Sequence, residues 1–236
     1  MTVYLKIPAA DPESLAAVEA CSVADLHEAL GSLLGFDRGR AALLDPAIKP
    51  LLRGTRISGQ AVTVRSSPDD GLLAHRAIQL LGPGQLLVGV NGGHGAAAMF
   101  AELTALAARA NGAVGVVVDG PIRDSDALAE MAFPVWSRGI YAGHTDKAGP
   151  GAVNVPVVCG GVLVEPGDVI VADGDGVISL PLDILPEVVR AARARVEREH
   201  GIRAAIDRGE QLFDILRLGE ALAAAGVEQH DRVWKD

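Results

Sequence analysis

The sequence predicts a layered α/β protein, and three observations lead to that class. Apolar residues make up 49% of the chain and aromatic residues only 3%, which favours an aliphatic core between sheets and helices over an aromatic-rich β-sandwich. Residues 56–90 show a strand, a helix and a second strand in succession. The pattern from residue 183 onward is helical. No linker composition divides the chain, so we expect one domain over residues 1–236 with a helical extension over about 183–236.

The N-terminal half predicts helices first and the layered pattern afterwards. Two helical patterns follow Asp11 and Ser22, and both residue types are favourable helix N-caps. A strand, a helix and a strand then follow at 56–65, 71–81 and 85–90. This succession is typical of a sheet covered by helices.

A glycine-rich stretch, residues 91–95, follows the second of these strands and precedes an Ala-rich helix. Glycines before a helix allow backbone N–H groups to approach an anion. The spacing matches neither the dinucleotide fingerprint nor the nucleotide-phosphate loop. A glycine-rich loop is usually only a turn, and that is the alternative here. The helix begins near Gly95 or near Ala101, and the later start would leave free amides at Leu103 and Thr104.

The central stretch ends in a charged pair. Residues 114–118 are apolar and mostly β-branched, as in a strand buried on both faces, and Asp119-Gly120-Pro121 predicts that the strand ends in a turn. Arg123 and Asp124 would then lie at the carboxyl end of that strand, where ligand-binding groups collect in α/β proteins. A cation beside a carboxylate suits an anionic substrate and a divalent metal. An ordinary loop ion pair, with Asp119 capping the turn, is the alternative.

The remaining elements are short. Runs of apolar residues separated by tight turns predict hairpins or a meander over residues 155–180. Asp173 and Asp175 lie in one of these turns, and a turn is favoured over a calcium site because the later ligands of an EF-hand are missing. Before the hairpins we expect a short helix, a strand and a polar loop that could close over a site: residues 126–131, 134–137 and 141–151.

Charge and cysteine content exclude several function classes. The formal net charge of −9 argues against a nucleic-acid or anionic-membrane surface, which needs clustered cations. The two cysteines, Cys21 and Cys159, lack the spacing of a disulfide framework or zinc site. The N-terminus does not have the pattern of a signal peptide, and no stretch is apolar for 18 residues. We expect a soluble, cytoplasmic protein.

Several motifs, in this order and spacing, resemble one family from about Ser22 to the C-terminus. They are Ala101-Glu-Leu, Gly115-Val-Val-Val-Asp-Gly-Pro-Ile-Arg-Asp, Phe133-Pro-Val-Trp-Ser-Arg, Gly151-Ala-Val-Asn-Val-Pro-Val and Val164-Glu-Pro-Gly-Asp-Val-Ile-Val-Ala-Asp-Gly-Asp-Gly-Val. The chain is similar to the class II pyruvate aldolases that act on 4-hydroxy-4-methyl-2-oxoglutarate and 4-carboxy-4-hydroxy-2-oxoadipate, and to the related RraA-like proteins that regulate ribonuclease E. The tail after Arg208 resembles the aldolase branch.

The resemblance implies a layered α/β/β/α domain of the swivelling type, assembled as a homotrimer or a dimer of trimers with sites between subunits. It also implies site residues. Asp124 matches the metal-binding aspartate, and Arg123 matches the arginine that holds the pyruvyl group. Ala101, Glu102, Leu103 and Thr104 match the segment whose amides meet the substrate, and Glu102 matches an acidic position near the waters of the metal.

The family also places an acidic residue of the neighbouring subunit's C-terminal helix near the site. Glu199 or Glu197 could be that residue, and we prefer Glu199. Two positions depart from the usual pattern: Ala101 stands where the family usually has Gly, and Leu103-Thr104 stands where it often has two leucines. Both departures bear on substrate identity more than on reaction type.

These residues suit a retro-aldol cleavage that releases pyruvate. The reaction must deprotonate the C4 hydroxyl and hold the enolate left behind. A metal-bound water of lowered pKa, or a water oriented by Glu102, could remove the proton. A divalent cofactor, Mg²⁺ or Mn²⁺, would act as the Lewis acid, and Arg123 would donate to the oxygen where negative charge grows. The alternative Schiff-base mechanism needs a desolvated lysine. None of the four lysines lies on an apolar strand: Lys6, Lys49, Lys147 and Lys235.

We therefore expect a metal-dependent lyase for 4-hydroxy-4-substituted 2-oxodiacids, as in bacterial breakdown of aromatic acids, with oxaloacetate decarboxylation as a side activity. An oxaloacetate decarboxylase, or an aldolase for another 2-oxo acid, is the first alternative. A non-catalytic RraA-like regulator that binds a ribonuclease is the second. The expected partners are a small 2-oxo acid and further copies of the chain, without nucleic acid or membrane.

Overall fold

The computed structural model describes residues 1–40, 42–92 and 97–235. The chain forms two compact units, Met1–Arg193 and Ala194–Asp236. All the strands that the described residues form lie in the first unit.

Strands in the described residues form one nine-stranded sheet and a separate two-stranded hairpin. They are β1 (Thr2–Val3), β2 (Lys49–Pro50), β3 (Ile57–Ser66), β4 (Gln85–Val90), β5 (Gly115–Ile122), β6 (Val135–Ile140), β7 (Gly151–Val153), β8 (Val157–Cys159), β9 (Val162–Val164), β10 (Val169–Ala172) and β11 (Val177–Leu180).

Helices lie between the strands and after the last one. They are α1 (Pro12–Val18), α2 (Val23–Leu34), α3 (Phe36–Arg40), α4 (Leu72–Leu80), α5 (Glu102–Ala110), α6 (Ser125–Glu130), α7 (Leu185–Asp207), α8 (Leu212–Ile215) and α9 (Leu218–Ala224). Among the described residues, no helix combines the length and apolarity that crossing a lipid bilayer requires.

The centre of the large sheet is parallel. Strands β3, β4, β5 and β6 are parallel neighbours in that order. The other edge of β3 pairs with two antiparallel strands, β10 along its amino half and β7 along its carboxyl half. Because β3, β4 and β5 run in one direction, their carboxyl ends meet at one edge of the sheet.

Three buried clusters arrange these elements in layers. One packs α4, α5 and α6 on one face of the parallel strands, with Leu73, Ala105 and Leu128 among its members. A second lies between the opposite face of these strands and the β8–β11 hairpins and includes Trp136. The third packs α1, α2 and the start of α7 against β10 and β11, with Leu26 in its core. The order is therefore α/β/β/α, and the predicted fold class is confirmed.

Local hydrogen bonds explain where the first helices begin. The Asp11 carboxylate accepts the N–H of Ser14 at 2.8 Å, so it caps α1 as predicted. Ser22 and Asp25 form a reciprocal capping box at the start of α2. Asp173 accepts the N–H of Val23 at 2.9 Å, which gives this turn aspartate a capping role in α2.

The second unit consists of the end of α7 with α8 and α9. Neither α8 nor α9 has a buried residue. Several of their apolar side chains are exposed, including Leu212, Phe213 and Leu218.

Candidate functional site

Strand β5 extends further than the sequence predicts. It continues through Asp119-Gly120-Pro121 to Ile122, with a register shift against β6 between Val118 and Pro121. The expected end of the strand at Asp119 is therefore wrong. A bulge accommodates Pro121, which has no N–H to offer the ladder but accepts a hydrogen bond from Met99 through its carbonyl oxygen at 3.3 Å. Arg123 and Asp124 follow directly after this extended strand.

Asp124 has a left-handed backbone, with φ 56° and ψ 40°. This conformation disfavours a non-glycine residue and, in structures generally, is concentrated at functional sites. Asp124 occupies the N-cap position of α6, but its side chain makes no capping bond there. Its Oδ2 instead accepts the N–H of Glu102, the first residue of α5, at 3.3 Å. The carboxylate thus joins two elements and is still 43% exposed.

Helix α5 begins at Glu102, the later of the two starts that the sequence allows. The Thr104 hydroxyl accepts the N–H of Ala101 at 2.8 Å and donates to the Ala101 carbonyl at 2.6 Å, which fixes the first turn. Within the described ranges, the N–H groups of Leu103 and Thr104 have no hydrogen-bond partner. Unpaired amides at a helix N-terminus favour an anionic ligand.

The segment before α5 runs alongside the end of β5. The Arg123 N–H donates to the Phe100 carbonyl at 3.0 Å, and Phe100 and Ile122 form an isolated parallel bridge. Together with the bond between Glu102 and Asp124, these contacts place Ala101–Thr104 beside Arg123 and Asp124. The structure therefore brings together six of the seven predicted site residues.

The charged side chains at this position remain available to a ligand. Arg123 Nε lies 3.9 Å from Asp124 Oδ2, and the two side chains are 37% and 43% exposed. Such a pair contributes little to stability, so a ligand could displace it at small cost. The Glu102 side chain is half-buried.

Glu199, the seventh predicted site residue, lies in the second unit. Its carboxylate pairs with Arg195 at 2.8 Å and with Arg203 at 3.1 Å, one helical turn away on either side. Glu197, the other candidate, is 3.9 Å from His200 Nδ1 and 85% exposed.

Asp119 has a structural partner, Arg138, that no local sequence pattern indicates. It is 6% exposed, pairs with Arg138, and accepts the N–H of Gly160 at 2.6 Å. Arg138 also binds Asp45 at 2.9 Å. The hydrogen bond to Asp119 is the main cause that raises the pKa of Arg138. This network ties β5 to β6 and to the turn between β8 and β9.

The polar loop over residues 141–150 is anchored by Asp70, which no sequence motif singles out. The buried Asp70 carboxylate accepts the N–H groups of Ala148 at 2.6 Å, Gly149 at 2.8 Å and Leu72 at 2.9 Å. Burial raises the pKa of Asp70, but these donors outweigh it and the pKa falls below its ordinary value. A further bond joins the loop to the segment before α5, from the Ala98 N–H to the carbonyl of residue 143 at 2.8 Å.

The glycine-rich stretch is described only in part. Asn91 and Gly92 lie within the described residues, whereas residues 93–96, which include His94 and the early helix start at Gly95, lie outside them. His144, in the polar loop, is exposed.

Asp124 and Glu102 supply the carboxylates near the free amides of α5. Within residues 1–40, 42–92 and 97–235, no three His, Cys, Asp or Glu side chains form a metal-binding group. A single exposed carboxylate with a second one nearby fits Mg²⁺, which prefers oxygen ligands and keeps several of its waters.

Comparison with known proteins identifies relatives that match most of the first unit. The family model described as RraA-like, Aldolase/RraA, matches residues 21–179. A protein of Halalkalibacterium halodurans, provisionally named 4-hydroxy-4-methyl-2-oxoglutarate aldolase, is 36% identical over 152 residues, which cover 64% of this chain and 72% of that protein.

Two solved structures have similar folds. An uncharacterized protein from Pseudomonas syringae pv. tomato matches with a TM-score of 0.76 and 32% identity, covering 88% of this chain and 98% of that one. Streptomyces coelicolor RraAS2 is described as an unusual member of the RNase ES inhibitor RraA protein family. It matches with a TM-score of 0.74 and 26% identity, covering 83% of this chain and 98% of that one.

Proposed function

Because the chain belongs to the Aldolase/RraA family, we propose that it is a divalent-metal-dependent lyase that releases pyruvate from 4-hydroxy-4-substituted 2-oxodiacids. Its substrate would be 4-carboxy-4-hydroxy-2-oxoadipate or 4-hydroxy-4-methyl-2-oxoglutarate. The observation that carries the proposal is the hydrogen bond from the Glu102 N–H to the Asp124 carboxylate. This bond holds the start of α5, with the free amides of Leu103 and Thr104, against the Asp124 carboxylate that follows Arg123, which supports a shared site for these groups.

The binding of the 2-oxo acid follows from these groups. The substrate carboxylate would accept hydrogen bonds from the N–H groups of Leu103 and Thr104, where the helix N-terminus favours negative charge. The Arg123 guanidinium would donate to the 2-oxo oxygen, because a planar cation forms strong charge-assisted bonds to oxygen. Ala101, which is 9% exposed, would limit the space beside the pyruvyl group.

The cleavage then needs one base and one stabilised oxygen. Glu102 would accept the proton of the C4 hydroxyl, directly or through a water. As the C4–O bond becomes a carbonyl, the C3–C4 bond breaks and its electron pair forms the enolate of pyruvate. Arg123 would stabilise the charge on the enolate oxygen, a contribution of roughly 3 kcal/mol in comparable sites. Return of this proton from Glu102, directly or through the water, to C3 of the enolate completes pyruvate and restores the base.

Asp124 is the residue that would hold the metal, with Glu102 near its waters. A bound Mg²⁺ or Mn²⁺ would supply Lewis-acid stabilisation of the negative charge that develops on the substrate. Oxaloacetate decarboxylation passes through the same enolate, so we propose it as a side activity.

The oligomer belongs to the proposal as well. We propose a homotrimer or a dimer of trimers in which Glu199 of one copy approaches the site of another. In the described chain Glu199 is already paired with two arginines, so it would enter such a site together with these two partners.

Pyruvate release from the two hydroxy-oxoacids and from oxaloacetate tests the function. The protein is first treated with a chelator and then assayed with and without Mg²⁺ or Mn²⁺. Asp124→Ala should abolish release, whereas Asp126→Ala, which removes an exposed carboxylate two residues away, should not. Turnover of oxaloacetate alone would mean that the proposed substrates are wrong, whereas the proposed enolate-forming reaction would stand. Turnover that is unaffected by both chelation and Asp124→Ala would refute the proposed site.

A non-catalytic regulator is the second candidate, and the similarity to RraAS2 favours it. Such a protein would bind a purified ribonuclease of the E type without any need for Arg123 or Asp124. Ribonuclease binding that survives Arg123→Ala, with no turnover of any 2-oxo acid, would support this candidate over the lyase.

A further inference from the structure

Asn91, at the end of β4, is a fully buried polar residue with an unusual hydrogen-bond pattern. Its side-chain amide donates to the carbonyl of Ala97 at 3.2 Å. Its Oδ1 is buried and has no partner in the described part of the chain. An unpaired buried oxygen lowers the stability of the folded protein. Stability therefore does not explain why Asn occupies this position.

The reason suggested by the geometry is the contact with Gly120, which lies in the bulge of β5. A methyl group at Gly120 would lie 2.3 Å from Asn91 Oδ1, 3.0 Å from Cγ and 3.2 Å from Nδ2. These are the three nearest atoms, so the Asn91 side chain occupies the space that a side chain at position 120 would need. The backbone of the bulge therefore packs directly on Asn91.

Asn91 thus touches the beginnings of two segments that both lead into the candidate site. From Ala97 the chain continues to the free amides at the start of α5. From Gly120 it continues to Arg123 and Asp124. The two segments are joined again by backbone bonds between Met99 and Pro121 and between Phe100 and Arg123.

We propose that Asn91 is a positioning residue, whose side chain sets the segment bearing the Leu103 and Thr104 amides against the strand end bearing Arg123 and Asp124. Asn91 itself is fully buried, so it would act through these groups and not on the substrate. Its kinetic consequence rests on the proposed lyase function, whereas its effect on the geometry of the two segments does not.

The first test is kinetic and uses a matched control. Asn91→Ala should lower kcat/KM for pyruvate release roughly 10- to 100-fold, as expected when a supporting contact of an active site is lost. Asn154 is the control because it is also buried, donates from its side chain to a carbonyl (Tyr4, 2.8 Å) and has an unpaired Oδ1 in the described residues. Its hydrogen bonds go to Tyr4 and Thr63 and not to either segment. Asn154→Ala should change kcat/KM less than about threefold.

A merely structural role would give a different result. Both variants would then lose stability, and kcat/KM per folded molecule, measured well below each midpoint of thermal unfolding, would stay at the wild-type value for both. That result would overturn the proposal.

The second test does not depend on turnover. In amide NMR spectra, Asn91→Ala should shift the resonances of Leu103 and Arg123, and Asn154→Ala should leave them in place. Gly120→Ala should destabilise the protein when Asn91 is present and do so less when Asn91 is Ala, because the clashing atoms are gone. If the wild type turns over no 2-oxo acid, the lyase proposal fails, and these spectra alone decide the role of Asn91. Unshifted Leu103 and Arg123 resonances, or additive effects of the two substitutions, would refute it.

Discussion

Replacement of Asp168 by Asn should make the protein more stable at neutral pH. Asp168 is 5% exposed, and burial is the main cause that raises its pKa from 3.8 to about 6, with the charges of Glu165 and Asp183 adding to the effect. An acid whose pKa is raised by folding stabilises the protein fully below its unfolded pKa and loses that contribution as pH rises through the folded value. The difference of about two pH units corresponds to about 3 kcal/mol in the free energy of unfolding.

Asn preserves the contacts while removing the charge. Asp168 Oδ2 accepts the Glu165 N–H at 2.9 Å and the Ser179 hydroxyl at 3.2 Å, and the amide oxygen of Asn can accept both. Urea unfolding of the wild type and Asp168→Asn should therefore give a stability difference that is small at pH 4 and grows in favour of the variant up to pH 8. Asp231→Asn, which alters an exposed carboxylate, should show no such growth. A difference for Asp168→Asn that is constant between pH 4 and 8 would refute the reasoning.

Three further predictions concern other buried or shared groups. Asp70→Asn should lower the free energy of unfolding at pH 7 by about 1–3 kcal/mol. Since folding lowers the pKa of Asp70, this loss should shrink as pH falls below 3.8 and through the folded pKa. A stability difference between wild type and variant that stays constant over this pH range would contradict the prediction. If each site is shared between two copies, activity should return when unfolded Asp124→Ala and Glu199→Gln chains are mixed and refolded together. About a quarter of the wild-type activity is expected, because about a quarter of the sites would receive both intact residues. No recovery of activity would place Glu199 outside the site. Cys159 is fully buried, and burial raises the pKa of its thiol, so iodoacetamide should modify it only in unfolded protein; mass spectrometry that finds rapid modification of the native protein would contradict this.

The sequence was most informative where the structure depends on neighbours in the chain. The caps at Asp11 and Ser22 are contacts over three residues, so residue types and spacing were enough to predict them. The layered class followed from strand and helix patterns for the same reason. The position of Arg123 and Asp124 after a buried strand was also predictable, because the apolar run of β5 is continuous up to Val118.

Contacts between distant parts of the chain were not predictable in this way. Asp119-Gly120-Pro121 has the residue types of a turn, and its extension as a strand depends on Met99 and Gly139, which no local pattern connects to it. Asp70 and Asn91 were missed because a buried carboxylate or amide in a loop is recognisable only from the backbone groups that surround it.

The position of β3 also has a consequence for how the chain is made. Its amino half pairs with β10 and its carboxyl half with β7, and both partners are synthesised long after β3 itself. A nascent chain that has not yet reached Gly151 therefore presents one whole edge of a central, apolar strand with unpaired N–H and C=O groups, which is the kind of edge that recruits other chains. The yield of soluble protein should depend on how soon residues 151–172 leave the ribosome, and slower translation of that stretch should favour aggregation.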